Sequence, residues 1–259
     1  MNETIAKLER TSQAACNQIC EKQTLELGIA YYSPAFPNSA QLNQYREVIA
    51  KDSDQYAAAL KEANEWFGEQ RLRCHGVAMA DGSSPDALIA FLADDGYQCR
   101  QFAAMQLTSW GEISVSENVR ILPARAMRPA LRETFVEDER FVAEPAPLRA
   151  DIVSERMDDA AYDMHVALVD GRPAGRCGLY QVGDIARVVE LAALEGDHQA
   201  ATLESLLGHS LALAKRLTMR TICMQVPVED EMTLDLCRRA GFEQDGTLGE
   251  FERAVLADS

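Results

Sequence analysis

Apolar residues recur along this chain with two different periods, which predicts alternating helices and strands. The clearest helical period covers residues 199–217, where leucines and an alanine fall on one face. Strict alternation and short apolar runs instead predict strands at 98–107, 164–169, 175–182, 186–194 and 221–226. Asp170-Gly171 lies between two of these runs and is a typical hairpin turn.

The remaining periods predict the order of the elements. Residues 24–107 give a strand over 24–32, two helices near 39–50 and 54–67, a strand over 71–80, a short helix from Ser83 or Ser84 through Leu92, and a strand over 98–107. This order reduces to β-α-β-α-β. From Val119 onward the order is β-α-α-β-β-β-α-β-α-β, and the last strand falls near 248–255. The first part resembles the second half of this order, so a weak internal repeat is the simplest explanation.

The domain organisation follows from the polar stretch 108–118, which contains Gly111 and has no strong period. We interpret this stretch as a linker. It divides the chain into an N-terminal domain, residues 1–112, and a C-terminal domain, residues 113–259.

Charge narrows the classes of partner. The 259 residues carry a formal net charge of −16, with 41 acidic against 25 basic residues and a pI near 4.7. Such a surface repels phosphate backbones, and the sequence has no local Lys/Arg cluster, so we expect no nucleic-acid partner. A small anionic cofactor is still compatible, because helix N-terminal amides bind anions against an unfavourable field.

The remaining composition predicts a cytoplasmic globular protein. Apolar residues make up 47% of the chain, but no run reaches the ~18 residues of a membrane span, so no membrane association is expected. The N-terminus has interleaved charges and does not resemble a secretory signal. Seven cysteines without such a signal indicate free thiols in a reducing compartment. Cys16 and Cys20 share one helix face, but no second pair of ligands is nearby, so no metal site is predicted.

The C-terminal half contains, in this order, the meander MHVALVDGRPAGRCGLYQVG, the strand ARVVELAAL, a leucine-rich helix, the strand TICMQV and the segment LCRRAGF. With these segments it resembles the GNAT superfamily of acyl-CoA N-acyltransferases. The segment SSPDALIAFLADDGYQCRQFAAMQL is similar to the degenerate N-terminal half of tandem members. This resemblance implies an α/β fold of two GNAT-like halves, each a mostly antiparallel mixed sheet flanked by helices.

The resemblance also implies a site for acetyl-CoA or another acyl-CoA. Members usually carry Arg/Gln-x-x-Gly-x-Gly/Ala before the helix, whose amides hold the pyrophosphate. This chain has His198 to Leu203 there, with Ala201 and Leu203 at the small-residue positions and acidic Glu195 and Asp197 close by. We expect these acids to satisfy the helix dipole themselves and to repel a pyrophosphate. The cofactor-binding residues implied are Leu191, Ala192, Ala193, Leu194, His198, Gln199, Ala200, Ala201, Thr202, Leu203 and Asp230.

The catalytic residues implied are Glu190 and Cys237. Glu190 matches the family's general base, although an ordinary strand glutamate that faces solvent or pairs with Arg187 is an alternative. Cys237 stands where members have a tyrosine acid; Tyr180 is the other candidate acid, and a core position is the alternative for Cys237.

The function implied is an acyltransferase of the EC 2.3.1 class. It would move an acetyl group to a primary amine of a small molecule or peptide, and the acidic surface favours a cationic acceptor. The alternative is a catalytically inactive GNAT-fold binding or regulatory protein that has lost the cofactor. The sequence does not identify the acceptor amine, and it is compatible with a homodimer.

Overall fold

The computed structural model describes residues 2–138 and 144–253. Within these residues the strands form one mixed sheet with the order β1-β2-β3-β4-β11-β5-β10-β9-β8-β7-β6. The strands are β1 Glu21–Thr24, β2 Ile29–Tyr32, β3 Gln44–Val48, β4 Gly76–Met79, β5 Gln98–Leu107, β6 Val119–Pro123, β7 Tyr162–Val169, β8 Arg172–Val182, β9 Ile185–Ala193, β10 Thr221–Pro227 and β11 Phe242–Glu252. The helices are α1 Glu3–Ile19, α2 Ser53–Glu69, α3 Asp86–Asp94, α4 Arg128–Val136, α5 Ala146–Arg156, α6 Gln199–Arg216 and α7 Glu231–Ala240, with a 3₁₀ turn at Ala124–Ala126.

Two strand pairs are parallel, β3 with β4 and β9 with β10, and the other neighbours are antiparallel. This arrangement confirms the predicted fold class, a mixed sheet flanked by helices. Strands from the two parts of the chain alternate in the middle of the sheet: β5 lies between β10 and β11, and β11 also pairs with β4. The division at residues 112 and 113 stays a prediction, and strands from its two sides share hydrogen bonds in one sheet.

The helices cover both faces of the sheet. Ala186 and Val188 of β9 pack with leucines of α6, whereas Ile185 packs with Leu8 of α1. Since successive side chains of a strand point to opposite faces, α6 and α1 lie on opposite sides of the sheet. Val189 packs with α4 and α5, which places these two helices on the α1 side.

Two predicted elements in the N-terminal part are wrong. Residues 39–50 do not form a helix; they contain β3, whose buried Tyr45 and Val48 are three apart and imitate helical spacing. The predicted strand 24–32 is instead the hairpin of β1 and β2, which turns where the Leu25 amide donates to the Gly28 carbonyl. A Cβ on Gly28 would lie 2.7 Å from the Tyr45 ring, so a residue without a side chain is needed there.

Candidate active site

Strands β9 and β10 are paired at one end and separate at the other. Their parallel register covers only Ile185 to Arg187 on β9, opposite Thr221 to Cys223 on β10. Beyond Arg187 the described strands share no further pairs, and β10 continues along β5 instead. The backbone of β9 is therefore open toward β10, and a V-shaped gap enters the sheet.

A bulge in β9 accompanies this separation. Gly178 pairs with Val189 and Arg176 pairs with Ala192, so Glu190 and Leu191 together oppose the single residue Cys177. Glu190 has φ 53°, in the left-handed region that non-glycine residues rarely adopt. Because a bulge bends its strand, it turns β9 away from β10 three residues after their last pair.

The gap opens into a cavity of about 700 Å³. The predicted site residues that line it are Glu190, Leu191, Ala193, Gln199, Leu203 and Asp230. Those that do not line it are Ala192, Leu194, His198, Ala200, Ala201, Thr202 and Cys237. The structure thus brings together residues from the bulge and from the starts of α6 and α7, and it leaves the proposed acid Cys237 apart from them.

Glu190 faces the cavity in an ion-pair network. Its Oε2 lies 3.2 Å from Nη2 of Arg149 and 3.4 Å from Nε of Arg176. Burial would raise the pKa of Glu190, but Arg149, Arg176 and Arg156 together hold it below its ordinary value. The alternative of a glutamate that faces solvent or pairs with Arg187 is wrong, because the carboxylate is only 16% exposed and Arg187 binds α1.

Phe135 of α4 orients the two arginines that hold Glu190. The guanidinium of Arg176 stacks 3.8 Å from the centre of this ring, and that of Arg149 lies 5.1 Å from it. Arg176 also donates to Asp138 Oδ2 at 2.8 Å and to the Thr134 carbonyl at 2.7 Å. The carboxylate position is therefore set by a packed and hydrogen-bonded shell.

The N-terminus of α6 has no side-chain cap. His198, the residue before the helix, donates or accepts no capping bond, and the exposed Glu195 and Asp197 form no hydrogen bond to the first-turn amides among the described residues. These acids therefore do not cap the helix, and the expectation that their charge satisfies its dipole stays a prediction. The amides of Ala200 and Ala201 precede the first helical acceptors, so they stay available to an anion.

Two further positions of the predicted cofactor site have structural roles. Asp230 caps α7, since its carboxylate accepts from the Thr233 amide at 3.0 Å and from the Thr233 hydroxyl at 2.8 Å. Leu203 is 4% exposed and packs in the core between α6 and the sheet, so most of its bulk lies there, although it also forms part of the cavity wall.

Cys237 lies in the core below α7. The side chain is fully buried, and its thiol contacts the Met224 sulfur at 3.4 Å. Burial raises the pKa of Cys237 to about 12. This environment matches the core alternative, and it gives the thiol no contact with the cavity.

Tyr180 does line the cavity. Its hydroxyl accepts from Gln18 Nε2 at 3.0 Å, and its ring lies 5.7 Å from that of Tyr162. Burial raises the pKa of Tyr180 to about 12, so the phenol holds its proton at neutral pH. Among the two predicted acids, only this one faces the site.

Sequence reasoning missed the arginines of this site. Six of them line the cavity: Arg46, Arg100, Arg149, Arg156, Arg176 and Arg187. They come from β3, β5, α5, β8 and β9, so no run of basic residues marks them in the sequence. Cys16 also lines the cavity, and its pKa falls to about 6, first through a hydrogen bond from Cys20 and then through Arg46 and Arg156, against the effect of burial.

The described residues, 2–138 and 144–253, contain no group of three His, Cys, Asp or Glu side chains that could hold a metal ion. No helix in the same ranges has the length and apolar character needed to cross a membrane.

Comparison with known proteins gives the fold. Neither the known protein families nor the curated proteins include a sequence match. Among solved structures, a functionally unknown conserved protein from Staphylococcus epidermidis ATCC 12228 superposes with a TM-score of 0.72 at 14% identity, over 92% of this chain and 95% of that one. A GCN5-related N-acetyltransferase from Kribbella flavida gives a TM-score of 0.65 at 11% identity, over 98% and 96%.

A tandem GNAT protein from the clavulanic acid biosynthesis pathway also superposes, with a TM-score of 0.51 at 11% identity over 96% of this chain and 89% of that one. The chain therefore has the fold of the GCN5-related N-acetyltransferases, as the sequence resemblance predicts. At these identities the likeness describes the fold, and the activity has to be argued from the site.

Proposed function

We propose that this protein is an acyl-CoA-dependent N-acyltransferase that moves an acetyl group to a primary amine. The observation that carries the proposal is the continuous opening from the bulge at Glu190 and Leu191 to the uncapped start of α6 at Gln199. A gap in a sheet provides open backbone groups for an extended ligand arm, and free helix amides provide a phosphate site. A bound acyl-CoA would supply the activated thioester.

The chain's own groups fit this chemistry. The open edge of β9 from Leu191 to Ala193 would align the arm, and the amides of Ala200 and Ala201 would hold the pyrophosphate. Glu190, ionised by its arginines, would accept the amine proton through water. Tyr180 would donate the proton to the leaving thiolate, in place of the buried Cys237.

A titration of acetyl-CoA into the full chain, by calorimetry and thermal shift, tests the proposal. We expect saturable binding and a rise in Tm, followed by release of free CoA when an amine is added. Ala200→Asp puts a carboxylate at the exposed start of α6, so it should weaken binding at least tenfold while the helix dipole keeps the fold stable. Ala200→Asn is the matched neutral control. Absence of binding at millimolar acetyl-CoA would refute the proposal.

The second candidate is a GNAT-fold binding protein without catalysis. The observation in its favour is the acidity near the proposed phosphate site, where Glu195 and Asp197 are exposed and Asp230 lies on the cavity wall. The double change Glu195→Gln and Asp197→Asn separates the candidates. If the acids only weaken binding, the variant gains affinity and transfer; if the site has lost the cofactor, neither appears.

A further inference from the structure

Two of the arginines in the cavity differ from the others in their partners. Arg46 pairs with Glu9 at 2.9 Å, Arg100 with Glu252 at 3.9 Å, and Arg149 and Arg176 hold Glu190. Arg156 and Arg187, in contrast, form no ion pair within the described ranges of the chain.

Arg187 contacts only neutral groups of α1. Its Nη1 donates to the Ser12 hydroxyl at 2.6 Å, to the Thr11 hydroxyl at 3.3 Å and to the Leu8 carbonyl at 3.4 Å. The buried Nε atoms of Arg156 and Arg187 find no acceptor among residues 2–138 and 144–253, as is also true of Nε of Arg46 and Arg149. Only Arg156 and Arg187 of the cavity also lack an ion pair in these ranges, and a half-buried guanidinium without one is unfavourable, so this part of the cavity suits an anion.

The two arginines lie beside the same pair of tyrosines on the cavity wall. Arg187 is the strand partner of Tyr180, and Tyr180 is the strand partner of Tyr162, with the two rings 5.7 Å apart. The charges of Arg156 and Arg187 both act to lower the pKa of these phenols, against the effect of burial. We call Arg156, Tyr162 and Arg187 the arginine–tyrosine cluster, and Tyr180, the proposed general acid, borders it. The cluster offers guanidinium N–H donors beside a phenol hydroxyl, a combination that suits a carboxylate or a phosphate.

Other acids of the cavity lie on different elements. Glu250 and Glu252 lie on β11, and Glu229 and Asp230 precede α7. Three acids act on the cluster itself: Cys16 from α1, Asp159, which Gln18 links to Tyr180, and Glu190 from β9. Among the described residues, none of them forms an ion pair with Arg156 or Arg187, and Glu190 is already held by Arg149 and Arg176.

The position of the cluster separates it from the proposed phosphate site. Arg187 contacts α1, and α5, which carries Arg156, packs with Val189 on the α1 side of the sheet. The start of α6 lies on the other side. An anion bound by the cluster is therefore not the pyrophosphate at Ala200 and Ala201.

Resting on the proposed function, we infer that the acceptor amine carries an acid group, a carboxylate or a phosphate, which Arg156 and Arg187 bind. This differs from the cationic acceptor that the net charge suggests. The carboxylates of Glu190 and Glu252 also face the cavity. The amine at the other end of such a molecule would lie beside them. The substrate class is thus an amino acid or a phosphorylated amine.

Binding of matched probes to the full chain without acetyl-CoA tests the inference. We compare 4-aminobutyrate with butylamine, and phosphoethanolamine with ethanolamine, by calorimetry at low salt. The member of each pair with the acid group should bind measurably tighter, and its affinity should fall as salt is added. The pair with the larger difference identifies a carboxylate or a phosphate as the anion.

Substitutions then locate the bound acid group. Arg156→Gln and Arg187→Gln should each raise the Kd of the acid-bearing probe about tenfold or more, whereas Arg156→Lys and Arg187→Lys should retain part of the affinity. Arg172→Gln, at an exposed arginine of the β7–β8 turn, is the control and should change nothing. If Arg187→Gln loosens α1 and lowers the Tm, its effect on probe binding is ambiguous. The Kd of Arg156→Gln then tests the anion site, because Arg156 donates no hydrogen bond to α1 among the described residues.

The outcomes separate this inference from the proposed function. Probe binding that depends on Arg156, in a protein that binds no acetyl-CoA, keeps the anion site and refutes the acyltransferase. Acetyl transfer that prefers butylamine and ethanolamine and is unchanged in both arginine variants refutes the acid-bearing acceptor and keeps the acyltransferase. Equal binding of both members of each pair also overturns the inference.

Discussion

Nη2 of Arg149 on α5 lies 3.2 Å from Oε2 of Glu190 at the bulge of β9. The contact joins the helix layer on the α1 side to the edge of the gap in the sheet. It also makes the candidate base part of a network with Arg176, so the proposed proton transfer and the stability of this network involve the same carboxylate.

Glu190→Gln should affect both properties. We expect acetyl transfer to fall at least a hundredfold because the carboxylate no longer accepts a proton, with little change in the Kd of acetyl-CoA. Stability should fall by about 3 kcal/mol, because the substitution leaves Arg149 without its carboxylate partner and leaves Arg176 with Asp138 alone. Glu195→Gln in the exposed loop is the control for both measurements. Full activity in Glu190→Gln would exclude the residue as the base.

Tyr180→Phe tests the general acid. The variant removes a phenol whose pKa of about 12 keeps it protonated, so kcat should drop about a hundredfold while the KM for acetyl-CoA changes little. Tyr56→Phe, in a buried tyrosine that packs between α2 and the sheet, serves as the control and should keep its kcat. Equal kcat values for the two variants would contradict the assignment.

Cys237 should matter for folding and not for the proton transfer. Cys237→Ala should cost about 1 kcal/mol of stability because a small buried side chain is lost from a tight core. Cys237→Ser should cost about 2 kcal/mol because its hydroxyl is buried beside the Met224 sulfur. We expect kcat and its pH profile to stay unchanged in both variants, as measured by CoA release and urea unfolding. A selective loss of kcat in Cys237→Ala would restore the acid role.

Glu252 should make the folded chain less stable as the pH rises. Burial and the neighbouring Glu250 raise the pKa of Glu252 to about 7, while the unfolded value is about 4.5. Between these two pH values the folded state binds more protons than the unfolded state, so its stability falls with pH, by roughly 3 kcal/mol in total. Urea unfolding from pH 4 to 8 measures the slope.

Glu252→Gln should remove that part of the slope, and Glu250→Gln should reduce it, because the like charge next to Glu252 is gone. Glu243→Gln, at an exposed position of the same strand, should leave the slope as it is in the unmodified chain. A wild-type slope in Glu252→Gln would show that another group titrates.

Local patterns were sufficient for much of the C-terminal half. β5 at Gln98–Leu107 matches its predicted range, and α6 at Gln199–Arg216 differs from its predicted range by one residue at the end. A long segment with a strong period can bury its apolar face in only one way, so its pattern predicts the type and range of the element. The prediction fails at β3, where the three-residue spacing between the buried Tyr45 and Val48 fits a helix. The pairing of β3 with β4 shifts register between these two residues, and both are buried in a strand.

The sequence by itself determined the mixed sheet, the meander, the long leucine-rich helix and the position of Glu190 on a strand. Only the tertiary structure decided what surrounds that carboxylate. The net charge of −16 is a sum over the whole chain and does not say which charges lie together. The cavity is lined by arginines that are up to 141 positions apart in the sequence, from Arg46 to Arg187. Strand pairing and helix packing bring those side chains together, because burial places residues by their neighbours in space. The charge around the cavity is therefore set by the fold.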